Sequence, residues 1–350
     1  MQVDKKDFQW AASRGLISNE QVETLWQALK SRSTESSLSL PNVAYYLGAM
    51  VVIGAMGWLM GNAWEQLQGG GIFLLAVLYA LLFVITGRKL WYEEKYRVPG
   101  GLLFTMAVCM TPLAIYGLER YLGIWPQGDP GNYAGFHFWV KGSWFFMEVG
   151  TILAGLLALK YVRFAFLSAP IAFVLWYMSM DLTPLLFGKT EFTYEEGLWV
   201  SALFGVLMLA VSYLIDRRTE EDFAFWGYLF GTLAFWGGLS LMESGSELRK
   251  FLYCLINVGL IFLSVFLERR VFIVFGALGV NGYLGYLAYR VFNESALFPF
   301  VLSFLGILII YLGVQYQRNQ NRIEALLLGL IPPSMHQMRP ANRIRSSTAS

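Results

Sequence analysis

The stretch FGALGVNGYLGYLAYR, residues 275–290, is an apolar run in which a glycine recurs at every third position. The glycines are Gly276, Gly279, Gly282 and Gly285. A step of three residues turns a helix by about −60°, so this row winds around the helix over roughly 14 Å. A spiralling row of missing side chains is typical of the groove in which another helix crosses in lipid. We therefore predict a packing seam, with a groove that lines a solute path as the alternative.

The composition of the whole chain is that of a membrane protein. Hydrophobic residues make up 56% of the 350 residues and charged residues only 14%, whereas a soluble domain is about 25% charged. Helices satisfy their backbone polar groups internally, so we predict an all-α, polytopic transmembrane helix bundle. Runs able to cross about 30 Å of hydrocarbon predict about ten spans. Their limits are 43–63, 71–87, 101–121, 144–160, 164–187, 197–215, 223–242, 251–267, 271–291 and 297–316.

Charged and aromatic residues indicate how these spans are oriented. With the N-terminus inside, 20 of the 26 basic residues fall in inner segments, which is the distribution of cytoplasmic loops. We therefore predict that both termini are cytoplasmic. Tryptophans near span ends, among them Trp125 and Trp144, are predicted to be interfacial anchors rather than a substrate cage, because an amphipathic ring prefers the headgroup zone.

Two cytoplasmic regions flank the predicted bundle, which covers residues 43–316. Residues 1–42 are predicted to be a helical hairpin with a serine-rich linker, because Ser18 and Gln21 form a capping box before an apolar stripe. Two such short helices bury little surface alone. We expect them to dock, either on the cytoplasmic loops of this chain or on a protein partner bound by residues 1–35. Residues 317–350 form a basic tail that suits an anionic inner leaflet.

Three stretches together resemble a known family. They are RGLISNEQVETL, then YYLGAMVVIGAMGWLMGNAWE opening the first span, then VFIVFGALGVNGYLGYLAYRVFNESALFPF in the ninth and tenth spans. The arrangement is similar to a family of bacterial membrane proteins defined only as a domain of unknown function, in which a GLIS-x-EQ helical hairpin precedes a multi-span region. The resemblance covers nearly the whole chain. It implies a bacterial inner-membrane location and assigns no role to any residue.

Polar residues inside the predicted spans are candidates for function, because ionisable groups at membrane depth are rare and costly. Glu148 is the most embedded acid, and Asp181 lies near the outer end of the fifth span. Asn257 and Asn281 lie in neighbouring spans, where an interhelical hydrogen bond or, as the alternative, a solute would satisfy each amide. Arg290 ends the ninth span and completes this set of candidates.

Several functional classes lack their signatures. Cys109 and Cys254 lie in apolar runs without CxxC spacing, and the chain has only two histidines, so we predict no metal site and no cofactor. No P-loop, HExxH or GxSxG motif is present, so we predict no catalytic residue and do not expect an enzyme. A net charge of +2 gives no reason to expect nucleic acid as a partner. The lipid bilayer is the partner that the sequence does predict.

Three functions remain open, and a membrane enzyme ranks lowest of them because no nucleophile–base pair or metal cluster is visible. The first is transport or permeation of a small solute or ion through a cavity near Glu148, Asn257 and Asn281. The predicted outer segments carry 11 acidic and 6 basic residues, which would concentrate cations at its mouth. Broken helices, common in transporters, are predicted near Pro112, Pro170 and Pro184. The second function is that of a non-catalytic membrane scaffold or assembly factor, in which the N-terminal hairpin recruits a partner and the bundle is packed solid.

Overall fold

The computed structural model describes residues 5–32, 40–125, 143–187, 193–219, 221–242 and 244–292, with single positions between 300 and 318. This part of the chain is 88% helical and contains no strand, so the all-α prediction is confirmed. The predicted tenth span and the tail lie largely outside it. The helices are α1 Lys5–Ser13, α2 Asn19–Arg32, α3 Leu40–Trp91, α4 Arg97–Cys109, α5 Thr111–Tyr121, α6 Ser143–Tyr161, α7 Ser168–Phe187, α8 Tyr194–Arg218, α9 Phe225–Leu241, α10 Glu247–Leu267 and α11 Arg270–Phe292.

Among the described residues, six helical segments are long and apolar enough to cross a membrane. They are Leu67–Trp91, Glu94–Tyr121, Trp144–Tyr161, Tyr194–Arg218, Glu247–Leu267 and Arg270–Leu287. Several long apolar helices are compatible with a multi-pass membrane protein, but the prediction of about ten spans is not confirmed. Part of the shortfall is physical: α9 has 17 residues, which reach about 26 Å and fall short of the ~30 Å hydrocarbon layer. The apolar segment Leu40–Met56 is no longer than α9, and Ala165–Ser179 is shorter.

Large apolar side chains on the long helices face outward. Leu203 and Leu207 of α8 are 67% and 59% exposed, and Leu78 of α3 is 61% exposed. Contiguous apolar surface of this extent is unfavourable in water but suits contact with lipid tails. The exterior of the helices is therefore compatible with a bilayer.

Helix α3 is bent sharply where the first and second predicted spans meet. Gln68 has φ 48° and ψ 176°, a non-helical conformation that forms a kink between two consecutive helical segments. A Cβ on the next residue, Gly69, would collide with the backbone of Arg120 and Tyr121. The glycine therefore allows the start of the second half of α3 to touch the end of α5.

The three prolines predicted to break helices behave differently. Pro112 stands in the first turn of α5, directly after α4 ends at Cys109, so the third predicted span is two helices. Pro170 lies in the first turn of α7, where a missing backbone N–H costs nothing. The prediction of a break at Pro184 is wrong, because α7 continues to Phe187.

Helices α1 and α2 pack against each other at the N-terminus. The Ser18 hydroxyl accepts a hydrogen bond from the Gln21 N–H at 3.2 Å, and the Ser18 N–H donates to Gln21 Oε1 at 2.9 Å, so the predicted capping box is formed. The rings of Phe8 and Trp26 lie 6.3 Å apart and join the two helices. Within the described part of the chain, the pair makes no extensive contact with the apolar helices. Its cytoplasmic placement and its docking stay predictions.

The apolar helices pack mainly against their neighbours in the chain. Helix α3 contacts α4 and α5, α6 contacts α7, α8 contacts α9, and α10 contacts α11. Helix α7 also contacts α8 and α9, which joins the earlier helices to the later ones. The connections α5–α6, α7–α8 and α9–α10 belong to the side that the charge distribution predicts to be outside, and we call that side the outer end. The connections α8–α9 and α10–α11 belong to the inner end.

Candidate functional site

A cleft of about 550 Å³ lies between α3, α4, α5, α6 and α7. We call it the Glu148 cleft. Its volume lies within the range of about 300–1,000 Å³ that small-molecule sites occupy. Most of the described lining is aliphatic, aromatic or methionine side chain, and Glu148 is the one acidic or basic residue among the lining residues that the structure describes. The described part of the lining is thus mostly apolar and contributes one carboxyl group.

Glu148 lies in the second turn of α6, and its side chain is 4% exposed. The sequence identified it as the most embedded acid, and the structure places it in the wall of the cleft. Thr151, one turn further along α6, donates its hydroxyl hydrogen bond to the carbonyl oxygen of Met147 at 2.6 Å. The threonine is therefore satisfied within its own helix, and Glu148 supplies the charge of this wall.

Five aromatic side chains form a continuous series along the same cleft. The ring centroids of Tyr116 and Trp125 are 4.7 Å apart, and those of Trp125 and Trp144 are 6.3 Å apart. Trp144 stacks on Tyr177 at 5.8 Å, and Tyr177 stacks on Phe173 at 6.4 Å. All five line the cleft together with Glu148.

The interfacial-anchor prediction is therefore wrong for Trp125, which is buried, and it stays a prediction for Trp144. Trp125 is only 8% exposed, and Trp144 is half-buried. Trp125 and Trp144 contact each other near the ends of α5 and α6, and Trp125 also contacts Tyr116. Among the described residues, Trp125 Nε1 has no hydrogen-bond partner.

Glu119 of α5 is a second buried acid, which the sequence placed only at an outer span end. It is 5% exposed, and neither carboxylate oxygen has a hydrogen-bond partner within the described ranges. Its backbone carbonyl accepts hydrogen bonds from the N–H groups of Ile124 and Trp125 at 2.9 and 3.2 Å, so the turn that carries Trp125 closes over this residue. The signal for it was an acid near a span end with bulky residues on both sides.

The other predicted polar residues do not join Glu148. Asn257 of α10 is 1% exposed, but its Nδ2 donates to the carbonyl of Tyr253 in its own helix at 2.8 Å. Asn281 is exposed, and its Nδ2 donates to Ala277 of its own helix, also at 2.8 Å. The predicted interhelical hydrogen bonds are therefore not seen among the described residues. Each Nδ2 group donates to the carbonyl four residues earlier, which is always within reach in a helix, while the buried Oδ1 of Asn257 has no hydrogen-bond partner among the described residues.

Two further candidates lie apart from the Glu148 cleft. Arg290 is exposed in the last turn of α11 and does not line the cleft. Asp181 lies in α7, but its side chain is outside the described part of the structure. The prediction of a single cavity near Glu148, Asn257 and Asn281 is therefore wrong. The two asparagines lie in α10 and α11 and do not line the Glu148 cleft.

Of the four glycines of α11, two pack against α10 and two do not. A Cβ on Gly276 would lie 2.7 Å from the Asn257 carbonyl oxygen, and one on Gly279 would overlap the Asn257 side chain. These two glycines form the predicted packing seam against α10. Within the described residues, a Cβ on Gly282 or Gly285 would meet nothing within 4 Å. Gly282 instead lines a second cleft.

This second cleft, of about 960 Å³, lies between α8, α9, α10 and α11 at the outer end. We call it the Lys250 cleft. Lys250 Nζ lies 3.0 Å from Glu247 Oε1 and 2.5 Å from the Tyr286 hydroxyl, which itself donates to Glu247 Oε1 at 2.7 Å. Glu195 and Arg249 also line it. The described lining of this cleft therefore carries charges of both signs, and Lys250 is paired with Glu247.

A charged cluster at the inner end joins α8, α9 and the α10–α11 turn. Arg269 donates to both carboxylate oxygens of Asp216, from Nη2 at 2.6 Å and from Nε at 3.3 Å. Its Nη1 lies 2.6 Å from Asp222 Oδ1. The Tyr228 hydroxyl donates to Asp216 Oδ2 at 3.3 Å. Burial opposes the charge, but the hydrogen bond to Asp216 and the negative charges of Asp222 and Asp216 raise the pKa of Arg269 above its usual range.

The turn between α10 and α11 holds Arg269 in this position. Helix α10 ends at Leu267, Glu268 adopts a left-handed conformation with φ 53°, and α11 begins at Arg270. The Ser264 hydroxyl donates to the Arg269 carbonyl at 2.9 Å. The sequence counted Arg269 only as an inner positive charge. The overlooked signal was Asp216, an acid directly after the end of the predicted span 197–215 and just before Arg217 and Arg218.

With this geometry established, comparison with known proteins adds no relative. The chain matches no family model, no curated protein and no solved structure. The family resemblance noted from the sequence therefore stays a prediction. Within the described residues, no group of three or more His, Cys, Asp or Glu side chains could hold a metal ion.

Proposed function

We propose that this chain is a multi-pass protein of a bacterial inner membrane that moves a small solute across the bilayer, with the Glu148 cleft as its solute site. One observation carries the proposal: a buried carboxyl group lines a cleft of about 550 Å³ among apolar helices. Ionisable groups at membrane depth are rare, because burying a carboxyl group is costly, and they commonly mark solute or ion pathways. The proposal includes both termini on the cytoplasmic side and no catalytic step.

Access of water to the cleft tests this proposal. In a chain with Cys109 and Cys254 replaced by alanine, Thr151→Cys places a thiol in the lining of the cleft, where Thr151 is 1% exposed. Thr232→Cys is the matched control, because Thr232 is equally buried at 0% but lines neither described cleft. Both are threonines within apolar helices.

We expect a membrane-impermeant thiol reagent to modify Thr151→Cys at least tenfold faster than Thr232→Cys in intact membranes. The reason is that a solute path must be filled with water when the solute is absent. Equal, very slow modification of both variants would show that the cleft is sealed, and it would refute the transport proposal.

A scaffold role is the second candidate, and a specific observation favours it. Helices α1 and α2 form a pair without extensive contact with the apolar helices of the described chain, and Trp10 and Leu16 of this pair are 58% and 71% exposed. Exposed apolar side chains on a small polar helical pair suit a protein partner. Deletion of residues 1–35 would then abolish co-purification of that partner while the remaining chain still inserts. Absence of any co-purifying protein with the full chain would count against this role.

A further inference from the structure

The Lys250 cleft is charged at its mouth and apolar at its floor. Glu195, Arg249 and Lys250 lie within the first four residues of α8 and α10, at the outer end. Further along their helices, Ile256 and Leu278 line the cleft and are 39% and 53% exposed. The six residues from Lys250 to Ile256 cover about 9 Å of helix. The cleft is therefore amphipathic along the direction of its helices, with its polar part toward the outer end.

The mouth presents groups for both an anion and a cation. Arg249 comes from α10 and Glu195 from α8, and within the described residues no ion pair joins them. A guanidinium group matches the geometry of phosphate oxygens, whereas a carboxylate accepts hydrogen bonds from an ammonium group. Lys250 adds a second positive charge, which is held by Glu247 and the Tyr286 hydroxyl. A headgroup with a phosphate and an amine therefore finds a counterpart for each.

A hydrogen-bond donor lies between the mouth and the floor. Trp236 lines the cleft one turn below Ser240 of α9, and its ring packs against Phe275 at 5.5 Å. Its Nε1 is buried and has no hydrogen-bond partner among the described residues, although a buried indole N–H usually has one. In a phospholipid, ester carbonyl oxygens lie between the phosphate and the acyl chains, so they reach this depth when the phosphate is at the mouth.

We propose that the Lys250 cleft is a binding site for one phospholipid of the outer leaflet whose headgroup ends in a primary amine, as in phosphatidylethanolamine. Arg249 binds the phosphate, Glu195 accepts hydrogen bonds from the ammonium group, and one acyl chain covers the exposed apolar floor. A choline headgroup cannot donate those hydrogen bonds, and a glycerol headgroup brings no cation to Glu195. This site is separate from the Glu148 cleft and does not depend on the proposed transport function.

Native mass spectrometry of the purified, delipidated full-length protein tests the proposal. The probes are dioleoyl phosphatidylethanolamine, phosphatidylcholine and phosphatidylglycerol, which share their acyl chains and differ in their headgroups. We expect the first bound ethanolamine lipid to bind about threefold to tenfold more tightly than either of the others, the scale of one partly solvated charge-assisted contact.

Substitutions at the mouth should change the headgroup preference in different ways. Glu195→Gln should remove the preference for ethanolamine over choline and leave binding of the glycerol lipid unchanged or tighter, because only the ammonium contact is lost. Arg249→Gln should weaken all three lipids, because they share the phosphate. The controls are Glu221→Gln and Arg218→Gln, which change exposed charges at the inner end and should leave the preference as it is.

A pair of glycine substitutions tests the apolar floor. Gly282 lines the cleft and Gly285 does not, although both lie on α11 and a Cβ on either would meet nothing within 4 Å of the described structure. Gly282→Leu should weaken all three lipids about fivefold, because leucine fills space that an acyl chain would occupy. Gly285→Leu should have no such effect.

Two results would overturn the proposal. Equal affinity for the three lipids, together with equal effects of Gly282→Leu and Gly285→Leu, would show that lipid contacts this surface without a specific site. Glycerophosphoethanolamine has the same headgroup and no acyl chains, and it should not displace the lipid at equal concentration. Displacement as efficient as that by the intact lipid would show that the cleft binds a water-soluble zwitterion instead.

Discussion

Removal of one partner from the Arg269–Asp216 pair should destabilise the protein far more than removal of Asp222. Both acids contact the same guanidinium, but the side chain of Asp216 is 2% exposed and that of Asp222 is 52% exposed. Asp216→Leu leaves a buried guanidinium without its two-oxygen partner, and breaking a buried pair costs about 3–5 kcal/mol of unfolding free energy. Asp222→Leu removes a half-solvated partner, for which about 1 kcal/mol or less is expected.

A double substitution separates the value of the pair from the cost of leaving one charge behind. Arg269→Met alone should also cost about 3–5 kcal/mol, because it leaves Asp216 buried with only the Tyr228 hydroxyl among its described partners. The double variant Asp216→Leu with Arg269→Met buries neither charge and should be more stable than either single variant.

The assay is equilibrium unfolding of the purified protein in mild detergent by added dodecyl sulfate, followed by circular dichroism. A loss of stability in Asp222→Leu equal to that in Asp216→Leu would refute the burial argument. A double variant as unstable as the sum of the single variants would refute the claim that the two charges act as a pair.

Three further outcomes are expected. Gly279→Ala should lower the unfolding free energy by about 1–3 kcal/mol, because the added Cβ overlaps Asn257. Gly282→Ala should be neutral or raise the unfolding free energy by up to about 1 kcal/mol through helix propensity. Equal effects of the two substitutions in the same unfolding assay would contradict the different environments of these glycines. Thr193→Ala should cost about 1 kcal/mol, because Thr193 and Glu196 form a capping box at the start of α8, while Thr193→Ser should retain most of the stability. Reporter proteins fused to the N-terminus and to the C-terminus should both report a cytoplasmic location. Opposite locations of the two termini would contradict the positive-inside assignment.

Helix content was predictable from the sequence because composition and backbone chemistry leave few alternatives in lipid. Local sequence patterns also predicted helix ends correctly where those ends depend on neighbouring residues alone. The capping box at Ser18 and Gln21 forms as predicted, and the chain breaks into two helices next to Pro112. Pro184 shows the limit of such signals, because α7 continues past it.

The candidate site was only partly predictable, because burial and contact depend on how distant segments meet. Glu148 is detectable from its depth in an apolar run, but its aromatic surroundings come from α5, α6 and α7 together. Trp125 and Trp144 have the sequence positions of interfacial anchors, and only the packing of the α5 and α6 ends turns them toward each other. Asp216 and Arg269 are 53 residues apart, so no local pattern connects them.

That separation of 53 residues also sets an order of events during synthesis. At about 5–20 residues per second, Asp216 leaves the ribosome roughly 3–10 s before Arg269 does. The inner ends of α8 and α9 must keep this acid in contact with water during that interval, because it has not yet met its guanidinium. The inner ends of α8 and α9 therefore pack around Asp216 only after the α10–α11 turn has been synthesised. A chain that stops at Met242 should show faster amide hydrogen exchange around Asp216 and Tyr228 than the full chain, and equal protection in both would show that this end closes on its own.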